Sequence, residues 1–558
     1  MRERLIIGLL FATVMLVYGN ALRDGFTMDD ELYITSNPQV TSPSLRTAFA
    51  PNQVSNVFRP VTFATFAINW RWSGPQPFSY HLLNLLLHAA VTILFFFVLQ
   101  AVFSPAPGAT TIALVAAWLF AVHAIHVEAV TSIVGRSELL AAGFLLAAWL
   151  LHLRNRYVGA LLCFALALLS KESAVVFLGL VLVGDYARGE WKARLRYAGI
   201  ASMTLLYLGV LWRAQGGRFG QKEIAALDNP LAAIPAGWRI LNALRVAWKY
   251  VGLQMYPAKL SCDYSFNQIP VYLDWRHTLP AAMAAAAAIG AWVWAVRKRR
   301  AGLVLAGGIY LAAFATTSNI FTPTGTILGE RLAYLPSAGF CVLVAVGWSW
   351  LRERRRTIAL GALAAVIAAL AIRTIVRNFD WKDNPTLWAT AVQAAPGSAK
   401  AHSNLSVAYI NAGKFDLARK EAQEALRIKP DYPGAIESYG LLECWQRNYQ
   451  EGGRMLEKAL RMSTRSNPDY DYMAVNYAAL LMQTGHTDGA LELLNREIAE
   501  SPSYARAWSN RAVIRYQRGD MAGARGDADV AVKLDPDSVQ AKNLLQLLRA
   551  GTLPGALR

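Results

Sequence analysis

The chain has 558 residues, 55% of them hydrophobic, with 17 tryptophans and only 16% charged positions, an apolar share beyond what a soluble core requires. Its net charge of +18 would suit nucleic acid, but the basic residues stand in short runs between apolar stretches and not along one soluble face. Membrane topology explains them better, and no nucleic-acid partner is expected.

The apolar excess ends near residue 375, dividing the chain into a membrane domain, 1–376, and a polar, alanine-rich soluble domain, 377–558. The first apolar stretch, 5–22, follows Met-Arg-Glu-Arg; no small-x-small cleavage site follows it cleanly and more spans come after, so it reads as a retained span and not a secretory signal. Directly behind it, in Gly-Phe-Thr-Met-Asp-Asp-Glu-Leu-Tyr, stand Asp29 and Asp30. A carboxylate pair at a water–lipid boundary can act as a base on a group arriving from water while a lipid-borne substrate stands beside it.

Further apolar runs lie near 82–103, 111–127, 133–152, 157–170, 173–187, 197–212, 277–296, 301–318, 332–350 and 357–375, bringing the candidate spans to eleven. The count treats 157–187 as two short passes joined at Ser-Lys-Glu-Ser, each of about 14 apolar residues and near 21 Å against a bilayer core of about 30 Å. The segment 240–257 carries Arg245 and Lys249 behind Arg239, and reads as an amphipathic helix on the outer surface.

Starting from Arg2 and Arg4 on the cytoplasmic side, the turns with Arg154 and Arg156, with Arg188, Lys192, Arg194 and Arg196, with Arg297 to Arg300, and with Arg352 to Arg356 all fall inside. The other ionisable residues near span ends then fall outside: Asp29, Asp30, Arg59, His81, His123, His126, Glu128, Arg136, Glu138, Lys171, Glu172, Glu330 and Arg331. Such groups cost several kcal/mol at membrane depth unless paired or hydrated, so their gathering on one side implies a polar cavity there. His123-x-x-His126-x-Glu128 shares a helix face only loosely and has no obvious further ligands, so no metal is expected. Cys163, Cys262, Cys341 and Cys444 have neither metal-ligand spacing nor an obvious pairing.

Past Trp381 a 34-residue period of helical pairs appears, with Pro430, Pro502 and Pro536 at the closing position. The units run near 399–432, 433–466, 471–504 and 505–538, followed by a capping helix near 537–549. Leu405, Tyr409, Gly413, Ala418 and Ala425 mark the first; Gly440 and Ala459 the second; Gly485 and Ala490 the third; Trp508, Gly519, Ala524 and Ala531 the fourth. These are tetratricopeptide repeats, which bind extended peptides or partner proteins in a concave groove. Eleven passes put them on the same side as the acidic pair, where a bound peptide could reach the membrane site.

Met-Asp-Asp with Asn37-Pro38, Phe58-Arg59-Pro60, Tyr80-His81 through Asn84 to His88, His123 to Glu128 with Gly135-Arg136 and Glu138, Ser170-Lys171-Glu172, Asp228-Asn229-Pro230, Leu260 to Tyr264, and Glu330-Arg331 with Tyr334 and Pro336 occur in that order before the repeats. In this order the chain resembles the transmembrane-and-tetratricopeptide O-mannosyltransferases over almost its entire length. The resemblance implies an all-α fold: a polytopic GT-C-type helix bundle followed by a tetratricopeptide solenoid. It also implies inverting transfer of mannose or another hexose from a polyprenyl-phosphate donor to Ser or Thr hydroxyls of exported proteins.

By this resemblance Asp29 aligns with the catalytic aspartate and Asp30 assists it. The lipid phosphate leaving group needs fixed cations, for which Arg331, Lys171 and Arg136 are the candidates, with His123 and His126 able to join them. Arg59, His81, Glu128, Glu138, Glu172 and Glu330 would complete the pocket. The lipid-phosphate sugar is a co-substrate, and no cofactor or divalent metal is expected. Short loops and an Ala- and Arg-rich membrane part point to a bacterial inner membrane, with the N-terminus cytoplasmic and the repeats periplasmic, or in the endoplasmic reticulum lumen of a eukaryote. The alternatives are a non-catalytic scaffold and a transporter of lipid-linked substrates; transporters place coupling charges near mid-membrane, whereas these lie at one rim.

Overall fold

The computed structural model describes residues 2–44, 47, 49–51, 56–217, 224–465, 469–535 and 538–549. Among the described residues the regular elements are helices and no strand occurs. The chain forms two compact units, Met1–Tyr33 with Pro43–Pro396, and Ile34–Ser42 with Gly397–Arg558. The division therefore falls later than residue 376, because a further helix after the last apolar one belongs to the first unit.

The helices of the first unit are α1 (Arg2–Tyr18), α2 (Pro60–Ser73), α3 (Pro77–Phe103), α4 (Ala109–Val122), α5 (Arg136–Leu153), α6 (Tyr157–Ser170) and α7 (Phe177–Arg188). They continue with α8 (Arg194–Ala214), α9 (Ala236–Met255), α10 (Trp275–Arg297), α11 (Ala301–Ala315), α12 (Pro336–Arg354), α13 (Arg356–Asn378) and α14 (Asn384–Ala394). All eleven apolar stretches are helical, but among the described residues six helices can by length and composition cross a membrane, or seven if the bent pair Ala109–Val122 and Ala124–Val130 counts as one. The shortfall lies in α6, α7 and α11, with 14, 12 and 15 residues, each too short alone for a core of about 30 Å, and in α12, which has 19 residues but ends in Arg352, Glu353 and Arg354 and does not qualify. The segment at 240–257 is helical as expected: α9 buries Ala243, Val246 and Tyr250 and leaves Ile240, Trp248 and Met255 exposed.

Helix α3 is the central strut, packed against α1, α4 and α5. Proline at its first turn has no N–H to leave unsatisfied there. Near its start the Tyr80 carbonyl accepts from Arg136 Nη2 at 3.1 Å, and near its end the Ala101 carbonyl accepts from Arg188 Nη1. At ~1.5 Å per residue these points are roughly 30 Å apart, so α3 separates an end holding the acidic loop from an end holding basic turns.

At the basic end Arg196 Nη1 donates to Asn155 Oδ1 at 2.8 Å, and Tyr186 Oη donates to the Val296 carbonyl at 2.8 Å. His152 Nε2 meets Asp185 Oδ2 at 2.8 Å in the same region. The turns before α6 and after α7 thus lie together, so 157–187 folds back as a hairpin and does not run on as one broken helix.

The second unit stacks four helical pairs, α15 (Ala399–Asn411) with α16 (Phe415–Ile428), α17 (Pro433–Trp445) with α18 (Tyr449–Met462), α19 (Tyr470–Gln483) with α20 (Thr487–Glu500), and α21 (Ala505–Gln517) with α22 (Met521–Leu534), followed by α23 (Val539–Arg549). Pro536 and residues 466–468, between the second and third units, lie outside the described residues. Gly413, Gly485 and Gly519 turn the chain inside three of the pairs at φ of 70°, 83° and 83°, which glycine adopts without a Cβ clash. The second pair differs: its left-handed residue is Arg447, at φ 65°. Gly440 instead lets two helices touch, since a Cβ there would press on the Gly452 carbonyl oxygen at 3.1 Å.

Candidate active site

In the acidic loop 24–30 the two adjacent carboxylates, Asp29 and Asp30, differ. Asp30 is fully buried; its Oδ2 accepts the Thr27 N–H at 2.9 Å and its Oδ1 the Val134 N–H at 3.1 Å. Burial pushes its pKa up to about 7, against the pull of those two N–H bonds, and the charge of Asp29 pushes the same way. Asp29 is half-buried, and among the described residues its carboxylate makes no hydrogen bond. Within the loop Met28 takes φ 53°, a left-handed conformation uncommon for a residue with a side chain.

Arg331, whose charge feels that of Asp29, belongs to a cluster of three cations with Arg59 and Lys171, each with a carboxylate partner. Arg331 donates through Nη1 to Glu128 Oε1 at 2.7 Å and through its backbone N–H to Glu128 Oε2 at 3.0 Å. Burial works against the Arg331 charge, but Glu128 and then Asp29 outweigh it and hold its pKa above the ordinary value. Arg59 grips Glu172 with two bonds, Nε to Oε2 at 3.0 Å and Nη2 to Oε1 at 2.6 Å. Burial would raise the Glu172 pKa, yet Arg59 draws it down to about 2. Lys171 pairs with Glu138. Neither Arg331 with Glu330 nor Lys171 with Glu172 is a pair, although each is adjacent in sequence: the loops cross, and each cation finds its carboxylate on another segment.

The three cations differ in exposure. The Arg331 side chain is 32% exposed, that of Arg59 16% and that of Lys171 7%. Arg331 is the most open of the three and Lys171 the most enclosed.

Several residues expected at the phosphate are enclosed instead. Arg136 is fully buried, and its guanidinium is spent on Asn84 Oδ1 at 2.9 Å, Asn69 Oδ1 at 2.7 Å, and the carbonyls of Tyr80 and Thr65, with the Phe66 ring 4.5 Å away. It braces α2, α3 and α5 behind the loop. His123 is held by the Gln254 carbonyl at 2.9 Å and by the Ile125 N–H at 3.2 Å; His126 by the Phe120 carbonyl at 2.9 Å and Ser337 Oγ at 2.6 Å. Both rings thus close the bent end of α4 against its neighbours.

His81 and Glu330 are also buried. Glu330 Oε1 accepts from the Ser261 N–H at 2.6 Å and from Tyr264 Oη at 2.7 Å, and its Oε2 lies 3.6 Å from Arg377. Burial raises the Glu330 pKa to about 7, partly offset by Arg377. Among the described residues no group of three or more His, Cys, Asp or Glu is placed to hold a metal ion.

The tetratricopeptide repeat family matches residues 399–432 and 477–539. Over nearly the whole chain the similarity is to larger proteins. The protein O-mannosyl-transferase TMTC3 of Mus musculus is 28% identical over 94% of this chain and 63% of its own length. That of Homo sapiens is 28% identical over 95% and 64%, and Tmtc3 of Drosophila melanogaster is 26% identical over 89% and 64%. The homologues of this chain are TMTC protein O-mannosyl-transferases. The chain spans just under two thirds of the length of these TMTC relatives.

Sequence reasoning gave no role to Asn69, Asn84, Asn378, Asn384 and Arg377. Asn378 Nδ2 donates to Asn20 Oδ1 at 2.7 Å and to the Val17 carbonyl at 3.0 Å, while its Oδ1 accepts from Thr131 at 3.0 Å. Asparagines inside or beside apolar spans were the available signal: a buried amide in a membrane helix must find partners.

Proposed function

We propose that the protein is an integral membrane, inverting glycosyltransferase. It moves mannose or another hexose from a polyprenyl-phosphate donor to Ser or Thr hydroxyls of proteins bound by the repeats. The observation that carries this reading is the contrast within the acidic pair: Asp30 is fixed by two backbone N–H bonds, while the Asp29 carboxylate is free of hydrogen bonds among the described residues and acts electrostatically on Arg331.

In the reaction the acceptor hydroxyl oxygen attacks the anomeric carbon, a new C–O bond forms, and the bond from that carbon to the phosphate oxygen breaks. Asp29 takes the hydroxyl proton, which requires its oxygen within about 3 Å of the acceptor in the complex. The departing polyprenyl phosphate carries the electron pair, and its charge is met by Arg331, then Arg59 and Lys171, in a water-poor site where fixed cations count for more. Asp30 positions Asp29. No metal or other cofactor is required by this scheme. We place the protein in a bacterial inner membrane, with its N-terminus cytoplasmic and the acidic loop and repeats in the periplasm.

The test is transfer from labelled polyprenyl-phosphate mannose to acceptor peptides by the purified protein, wild type against Asp29→Asn. Transfer by the wild type and its loss in the variant support the reading; equal transfer by both removes Asp29 as the base. A wild type that transfers nothing while its repeats still bind partners would favour a scaffold.

A further inference from the structure

The left-handed turn at Met28 needs something to hold it, and the restraint comes from a distant part of the chain. Asn384, the first residue of α14, accepts the Met28 N–H through Oδ1 at 2.9 Å. Beside it the Gly25 N–H donates to the Lys382 carbonyl at 3.0 Å. The segment 382–384 thus grips the acidic loop at two points, one of them the residue at φ 53° immediately before Asp29.

Without an acceptor for its N–H, Met28 would have reason to relax toward negative φ, the region that a side chain prefers. Such a flip rotates the following peptide unit and with it the direction of the Asp29 carboxylate. Asp30 closes the same turn, its N–H donating to the Thr27 carbonyl at 3.0 Å and its Oδ2 accepting the Thr27 N–H at 2.9 Å, but neither bond engages the Met28 N–H. The backbone N–H requires an oxygen acceptor, which fixes the Asn384 amide orientation, and an aspartate there would also supply one.

We propose that Asn384 is a positioning residue for Asp29: by accepting the Met28 N–H it stabilises the left-handed turn that aims the Asp29 carboxylate at the acceptor hydroxyl. This rests on the reading of Asp29 as the base. Asn384 touches no reacting atom, so its effect falls on kcat more than on KM.

The test measures kcat and KM for sugar transfer in the full-length protein. Asn384→Ala should lower kcat by about tenfold to a hundredfold, the cost of a small misplacement of a catalytic group, with KM changed less than about threefold. Asn384→Asp, which keeps an acceptor oxygen, should retain most of the activity. Met28→Gly placed in the Asn384→Ala background should recover a large part of the loss, because glycine holds positive φ without a tether; a general packing defect would not be repaired this way. An Asn384→Ala enzyme within about twofold of wild type in kcat, an Asn384→Asp enzyme as weak as Asn384→Ala, or a double variant no better than Asn384→Ala overturns the proposal. Absence of transfer in the wild type would instead count against the glycosyltransferase reading, and the two failures are told apart by that control.

Discussion

Two groups of charged residues occupy the same end of the membrane unit and differ in what their charges face. Asp29, Arg59, Glu172 and Arg331 keep part of their surface open; Asp30, Arg136, Glu330, His123 and His126 are enclosed, with their polar atoms directed at amides, carbonyls and hydroxyls of neighbouring segments. In the first group charge meets charge with capacity left over, which suits a charged substrate. In the second group most polar atoms are spent on fixed protein partners, which suits holding a backbone in place. Residue type does not separate them: Arg136 and Arg331 are both arginines within two positions of a Glu, and only Arg331 keeps part of its surface open.

The sharpest break between the groups is Asp29→Asn, expected to reduce the initial rate of labelled sugar transfer by about 10²- to 10⁴-fold while leaving the thermal melting curve in detergent unchanged. Arg136→Met should do the reverse. It leaves Asn84 and Asn69 without their donor, and a loss of about 3 kcal/mol of stability is expected in denaturant or thermal unfolding. An unchanged melting curve for that variant would place Arg136 in the exposed group after all.

Arg331→Lys keeps the charge next to Glu128 but loses the two-pronged grip on a phosphate, so kcat/KM for the lipid donor should fall about tenfold, or ~1.4 kcal/mol. The melting temperature should barely move. Smaller still is a pH effect. The Asp30 pKa stands near 7, above the ordinary carboxylate value of about 4, so the folded state binds the extra proton between those limits. Its contribution to stability is full below about pH 4 and is lost as pH rises through about 7. Against the wild type, Asp30→Asn should reduce the fall of melting temperature between pH 4.5 and 8; Asp24, Glu330 and Glu497, pushed up to about 7 by burial, and Glu437, pushed up to about 8, act in the same direction as Asp30. The mildest change is Arg447→Gly in the second repeat, where relief of the left-handed turn should stabilise the unit by about 0.5–1 kcal/mol in thermal unfolding. No gain there would mean that Arg447 contributes contacts that offset its strain.

Much was legible in the residues themselves. Apolar runs located every helix of the membrane unit's eleven stretches, because a bilayer-length apolar segment has few other folds available. The 34-residue spacing set the repeat pairs, since each pair must bury its small-residue face on the next. Clusters of Arg and Lys in alternate turns identified one end of the bundle, and the fold does bring the turns at 154–156, 188–196 and 297–300 together. The acidic pair was visible as two carboxylates directly after an apolar span.

What the tertiary structure decided was partnership. Which aspartate is free, that Arg331 joins Glu128 and Lys171 joins Glu138, that Arg136 is walled in by Asn69 and Asn84, and that Asn384 reaches Met28 all depend on side chains 30 to several hundred positions apart in sequence meeting across crossing loops. Periodicity and composition report on neighbours along one helix, where spacing is fixed by the 3.6-residue turn. Contacts between helices depend on packing angle and loop path, for which a single sequence carries no comparable ruler.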